Sequence, residues 1–156
     1  MTTTAIRTRI CKYLDDHGTP YRVITHPAAA SADEYHETLG TRYEQQAKSL
    51  FIRHKSGSDK GFAILALQAQ KRADMQRVAS LLGAREARLA TGEQLADATG
   101  CGFGELPPFG RLYGVRLVLD RDLLGEPEIF FNAGDLCTSI AMSPAELADL
   151  EQPLMY

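Results

Sequence analysis

The chain has little cysteine and no excess of positive charge. Cys11, Cys101 and Cys137 are odd in number and widely spaced in 156 residues. They offer neither a disulfide framework nor a zinc site, and they suit a reducing cytoplasm. Lysine and arginine number 17 against 20 acidic residues, a formal net charge of −3. That balance argues against coating duplex DNA, which calls for a basic stripe. A few placed cations still suffice for the end of one strand. No apolar run approaches a membrane span, and the first residues, MTTTAIRTRICKYL, are too charged for a signal peptide. There is no repeat, low-complexity tract or linker. With 44% hydrophobic and 24% charged residues, the chain reads as one soluble domain over residues 1–156, long enough to bury a full core.

What is present is a mixture of helix and strand patterns without regular alternation. Ile6, Ile10, Tyr13 and Leu14 recur at helical spacing, and Gly18 and Pro20 stop that helix. Tyr21 to Thr25 is a short strand. Ser31 and Glu34 make a capping box for a helix ending near Gly40. Ala47 to Ile52 is a strand, Lys55 to Gly61 a polar hairpin turn, and Phe62 to Leu67 a buried return strand. Asp74 caps the next helix and Gly83 ends it. A brief strand over Glu86 to Leu89 precedes a helix opened by Thr91 and Gln94 and ending near Thr99-Gly100. Further strands cover Val115 to Leu119, Glu128 to Phe131 and Thr138 to Met142. Ser143, Pro144 and Glu146 then start the last helix as cap, N1 proline and capping-box partner. The pattern favours a mixed sheet with peripheral helices over a doubly wound fold.

Two stretches carry chemistry. Strand alternation puts Lys48 on one face with Leu50 and Ile52, and Phe51 on the other. A lysine on an apolar face either snorkels to water or meets an anion in a cleft. The second stretch, GFGELPPFG from Gly102 to Gly110, has three glycines and two prolines in nine residues, which specify a stiff, unusual backbone. It serves either as a rigid turn or as a preformed cradle whose backbone N–H groups hold an oxyanion. No Gly-Lys-Ser/Thr follows it, so it is no P-loop, and Gly102 and Gly104 do not follow a strand as a Rossmann turn would. No Ser/His/Asp or Cys/His arrangement and no metal-ligand cluster stands at useful spacing.

Taken in order, QAKSLFIR, the helix before Thr99-Gly100, GELPPFG, FNAG and SIAMSPAELADL resemble the YbaK/ProX family of free-standing aminoacyl-tRNA deacylases. That family is related to the editing domain inserted in bacterial prolyl-tRNA synthetases. The resemblance runs from about Tyr21 to Leu150. It implies an α/β fold of the α+β type, with a curved, largely antiparallel mixed sheet and peripheral helices. The implied activity is hydrolysis of the ester on a mischarged tRNA, often tRNA for proline carrying Cys, Ala or Ser. The implied partners are the tRNA 3′ end and prolyl-tRNA synthetase, with no cofactor, no membrane and no duplex DNA.

The resemblance also assigns residues. Lys48 engages the tRNA end as a point charge. Gly104 and Pro108 belong to the G-x-x-x-P loop, with Leu106 inside it and Phe109 and Gly110 continuing it. Asn132 and Gly134 line the pocket from a late strand. His26 follows the first strand as a substrate-binding residue, although a structural or surface histidine fits the same position. Glu105 and Asp135 depart from the family pattern. In this reading the Gly104–Gly110 backbone stabilises the oxyanion, and a substrate hydroxyl or the ribose places the attacking water. The alternative class is a non-catalytic module that binds a nucleotide or tRNA end and docks on a synthetase.

Overall fold

The computed structural model describes residues 3–156. Helix α1 (Thr3–Asp16) forms where apolar residues recur every three to four positions. Ile6, Ile10 and Leu14 are all buried by it, each stabilising the fold by about 2 kcal/mol on the usual burial scale.

The strands fall into two sheets. Strands β1 (Arg22–Thr25), β7 (Thr138–Met142) and β6 (Ile129–Asn132) form an antiparallel sheet in the order β1-β7-β6. The larger sheet has the order β4 (Glu86–Leu89), β2 (Ala47–Ser56), β3 (Asp59–Gln68), β5 (Arg116–Leu119), β8 (Leu154–Met155). Its β2–β3 and β2–β4 pairs are antiparallel, and β3–β5 and β5–β8 are parallel. The mixed, largely antiparallel character is the one expected from the sequence, and the Lys48 strand lies next to the centre. The sheets meet at a parallel bridge between Gln46 and Phe130.

The hairpin is tighter than its polar residues suggest. Pairing continues through Lys55↔Lys60 and Ser56↔Asp59, leaving Gly57 and Ser58 as the turn. Backbone ladders do not need apolar side chains, and Gly57 supplies the positive φ of +62° that a two-residue turn requires.

Both faces of the larger sheet are buried, which follows from alternation along β2 and β3. Phe51 and Ile64 face one core with Phe109, Leu117, Phe131 and Ile140. Ile52 and Leu65 face a second core with Val78 and Leu82 of helix α3 (Met75–Leu82). The remaining helices are set by their caps. Ser31 and Glu34 close a capping box on α2 (Ala32–Leu39), and Thr91 and Gln94 close one on α4 (Gly92–Thr99). Asp74 caps α3 by accepting the Arg77 N–H. Helix α5 (Pro144–Glu151) carries the first half of a box, with Ser143 accepting the Glu146 N–H at 3.4 Å. None of the described helices is long and apolar enough to cross a membrane.

Candidate active site

The site starts from an edge that lacks a neighbour. Strand β4 pairs with β2 only over Ile52–Lys55, and the bridge to β6 lies at Gln46. Between them, the β2 edge opposite β3 has no strand against it among the described residues. The Phe51 carbonyl accepts the Ala90 N–H on this edge. Backbone groups alternate along a strand, so the N–H and C=O of Ser49 face the same way. A cavity of about 340 Å³ opens here. Its walls are mainly apolar, with Ala47, Phe51, Ala90, Leu95, Leu106 and Phe131 among them.

Among the described residues, Lys48 is the only charged one that lines the cavity. Its ammonium donates to the Lys71 carbonyl at 2.5 Å. Burial lowers the Lys48 pKa from the ordinary lysine value, because desolvation disfavours the charged form. Lys71 in turn sits between Asp120 and Asp122, at 2.8 and 2.6 Å. The Lys48 carbonyl contact is thus held by a segment that is itself tied down. Ser49 also lines the cavity, and its Oγ is buried with no hydrogen-bond partner among the described residues.

The glycine-proline loop divides into two parts. Phe103, Gly104 and Leu106 line the cavity. Gly104 has a φ of +86°, and a Cβ there would lie 3.3 Å from Leu136, so glycine suits both the turn and the packing. Pro108, Phe109 and Gly110 are buried. Phe109 packs edge-on against Tyr13 and Phe131. A Cβ on Gly110 would come within 2.3 Å of the Val115 carbonyl oxygen. The second half of the loop is therefore a core plug that fixes the first half at the cavity.

A buried polar cluster fixes the opposite wall. Asn132, at the end of β6, donates from Nδ2 to the carbonyls of Ala29 and Gly104, both at 2.9 Å. These bonds join the segment before α2 to the glycine-proline loop. Ser139 Oγ accepts from Tyr35 at 2.6 Å and lies 2.7 Å from His26 Nε2 and 3.1 Å from Asn132 Oδ1. The His26 Nδ1 stands 2.8 Å from the Pro27 carbonyl, a geometry that calls for its proton on Nδ1. Burial raises the Tyr35 pKa, so the phenol stays neutral and donates. Although His26 and Ser139 pair closely, Ser139 is fully buried and lies outside the cavity lining.

Comparison with known proteins joins these parts. Residues 26–150 match the aminoacyl-tRNA editing domain family. The chain belongs to that family. A multifunctional Ser/Thr-tRNA deacylase, ProXp-y of Escherichia coli strain K12, is 34% identical over 146 residues, covering 93% of this chain and 87% of the relative. A structure described as a candidate trans-editing enzyme for prolyl tRNA synthetase has a TM-score of 0.83 at 27% identity, covering 96% of this chain and 94% of that one. A scaffold protein used for epitope grafting has the same TM-score at 26% identity, with 96% and 94% coverage. The family activity is trans-editing deacylation of aminoacyl-tRNA, a hydrolysis of the ester bond.

Within this editing domain, Lys48, Gly104, Leu106 and Asn132 come together at one cavity. His26 stands behind it in the Ser139 cluster. Gly134, with a φ of +94°, donates its N–H to the Glu105 carbonyl at 2.9 Å and braces the loop from behind. Pro108, Phe109 and Gly110 are in the core. The two departures from the family pattern also find local roles. Glu105 accepts the Gly102 N–H at 2.6 Å, and Asp135 accepts the Cys137 N–H at 2.8 Å. Neither acid lines the cavity. Tyr35, Ser49, Phe103 and Ser139 were not singled out from the sequence. Only the odd placement of Phe103, an aromatic between two glycines, offered a signal.

Proposed function

We propose that the cavity receives the aminoacyl end of a mischarged tRNA, and that the chain acts on it as a single cytoplasmic domain. The observation that supports this most is the pairing of one cation, Lys48, with the stretch of β2 edge at Ser49 that no described strand covers and with the Gly104 turn, around an otherwise mainly apolar cavity. Its volume of about 340 Å³ is enough for an aminoacyl group. Serine and threonine lead as the removed amino acids, since the 34% identical relative is a Ser/Thr-tRNA deacylase. Alanine and cysteine on tRNA for proline remain substrates to be compared with them, because pocket volume alone separates such side chains weakly, by about 1–3 kcal/mol per methylene.

In this reading the Lys48 ammonium leaves the Lys71 carbonyl to hold the terminal phosphate or ribose. Water attacks the ester carbon, the carbonyl oxygen gains negative charge, and the ribose oxygen leaves with a proton. The N–H groups of Gly104 and Leu106 serve as oxyanion donors. Glu105 does not, because its N–H is committed to the Gly102 carbonyl. A ribose hydroxyl places the water, which accounts for the lack of a carboxylate or histidine base among the described residues lining the cavity. None of the cysteines lines it, and burial raises the Cys101 pKa, which keeps that thiol protonated.

The test is deacylation of seryl-, threonyl-, alanyl- and cysteinyl-tRNA by the purified protein, with and without prolyl-tRNA synthetase. The expected result is turnover of the serine or threonine ester well above spontaneous hydrolysis. Binding of tRNA with no turnover of any ester would favour a non-catalytic module that docks on the synthetase.

A further inference from the structure

Phe103 is the most exposed large hydrophobic side chain of the described residues, at 72%, and it lines the cavity. Leu89, at 52%, is the next most exposed and lines it too. Exposed apolar groups are common singly, but two at one cavity mouth mark a contact surface. The ring of Phe103 is also supported. A Cβ on Gly92 would lie 3.2 Å from its Cε2, so the ring rests against the first turn of α4 in room left by a missing side chain.

We propose that Phe103 is the platform on which the purine of the terminal adenosine stacks. This rests on the deacylase reading and adds a subsite to it. The ester and the base are attached to the same ribose, so an amino acid inside the cavity brings the base to its mouth. The base is the one large flat apolar face at that end of the substrate. Aromatic side chains bind unpaired bases by stacking, and they do so without charge. Lys48 then takes the neighbouring phosphate, while Leu89 borders the base on the β4 side. Phe103 is a positioning residue: it touches the base and not the ester.

The sequence contains no tryptophan, so Phe103→Trp places a sole tryptophan at this position, excited selectively at the red edge where the tyrosines do not absorb. Titration with the trinucleotide CCA should quench its emission saturably. A CC trinucleotide ending in an abasic residue should leave it unchanged. In kinetics on seryl-tRNA, Phe103→Ala should raise KM roughly tenfold or more with little change in kcat, the scale of one lost base stack. Phe103→Tyr should restore KM, and Phe103→Leu should not. Equal quenching by the abasic ligand, no quenching by CCA, or an unchanged KM in Phe103→Ala would each overturn the proposal. Saturable, base-dependent quenching in a protein that hydrolyses no mischarged tRNA would overturn the deacylase reading instead and leave the stacking site standing.

Discussion

Asn132 and Gly104 are joined by a hydrogen bond of 2.9 Å from the side-chain amide to the backbone carbonyl. The same amide holds the Ala29 carbonyl, so one side chain on β6 positions two loops that meet at the cavity. Its nitrogen has two protons and uses both, which fixes the orientation of the amide and leaves Oδ1 toward Ser139.

Replacing this residue should therefore separate the loops. Asn132→Ala leaves the Ala29 and Gly104 carbonyls without their donor and should lower stability by about 1–3 kcal/mol. Asn132→Asp should do at least as much harm, because it places a carboxylate against two carbonyl oxygens. Deacylation should fall in both variants, mostly in kcat, since the Gly104 turn loses its position. Urea unfolding and steady-state kinetics check this. Wild-type stability in Asn132→Asp would show that the amide donors are not needed.

The Lys48 role makes a different demand. Lys48→Met keeps the stem and removes the charge. Deacylation should drop by roughly two orders of magnitude, the usual scale for one charged or oxyanion contact. Stability should change by only about 1 kcal/mol, for the bond to the Lys71 carbonyl. Lys48→Arg should rescue poorly, since a planar fork does not replace a compact ammonium in a confined site. Because burial lowers the lysine pKa, the enzyme-dependent rate should begin to fall with rising pH below the ordinary value of 10.5. Wild-type turnover in a folded Lys48→Met protein would remove Lys48 from the mechanism.

Much of this arrangement was legible in the residues. Caps and periodicity located the helices because these are local signals: Ser31 and Glu34, or Thr91 and Gln94, act within one turn. Alternation placed Phe51 and Ile52 on opposite cores for the same reason. The split into two sheets was not legible, because it depends on β1 pairing with β7, more than a hundred residues away. In the sequence the glycine-proline stretch reads as one unit, either a rigid turn or a cradle. Its division arises from Phe109 meeting Tyr13 and Phe131, contacts made by distant elements. Ser49 and Ser139 looked alike as strand serines, yet one lacks a partner and the other has three polar neighbours.

That contrast gives a stability prediction. Ser49 Oγ is buried without a hydrogen-bond partner among the described residues, so removing it forfeits no bond within them. Ser49→Ala should leave stability unchanged or raise it by up to about 1 kcal/mol, while Ser139→Ala should cost about 1–3 kcal/mol. Urea midpoints at a common slope compare the two. A larger loss in Ser49→Ala than in Ser139→Ala would contradict the hydrogen-bond accounting at the cavity.

The core plug behind the loop carries a titrating group, and its pH dependence can be signed. Glu151 on α5 is buried and accepts from the Tyr13 hydroxyl at 2.7 Å and from the Arg111 N–H at 3.2 Å. It thereby ties α5 to α1 and to the residues that follow Phe109 and Gly110. Burial pushes its carboxyl above the ordinary value of 4.5, and the bonds from Tyr13 and Arg111 recover only part of that rise. The folded state therefore holds this proton more tightly than the unfolded chain does. The contribution to stability is complete below the ordinary carboxyl value and is lost as pH rises through the folded value. Glu151→Gln removes the titration while keeping an oxygen for the Arg111 N–H and an N–H for the Tyr13 oxygen. Wild-type stability minus that of Glu151→Gln should therefore decline as pH rises above the ordinary carboxyl value of 4.5 and level off once the folded-state carboxyl has ionised. Tyr13→Phe should steepen the decline, because it removes the bond that offsets burial the most. Paired urea unfolding curves across this range measure the difference directly. A flat difference, or a wild type that gains on Glu151→Gln as pH rises, would show that Glu151 is charged in the fold at no cost and that the plug is not proton-linked.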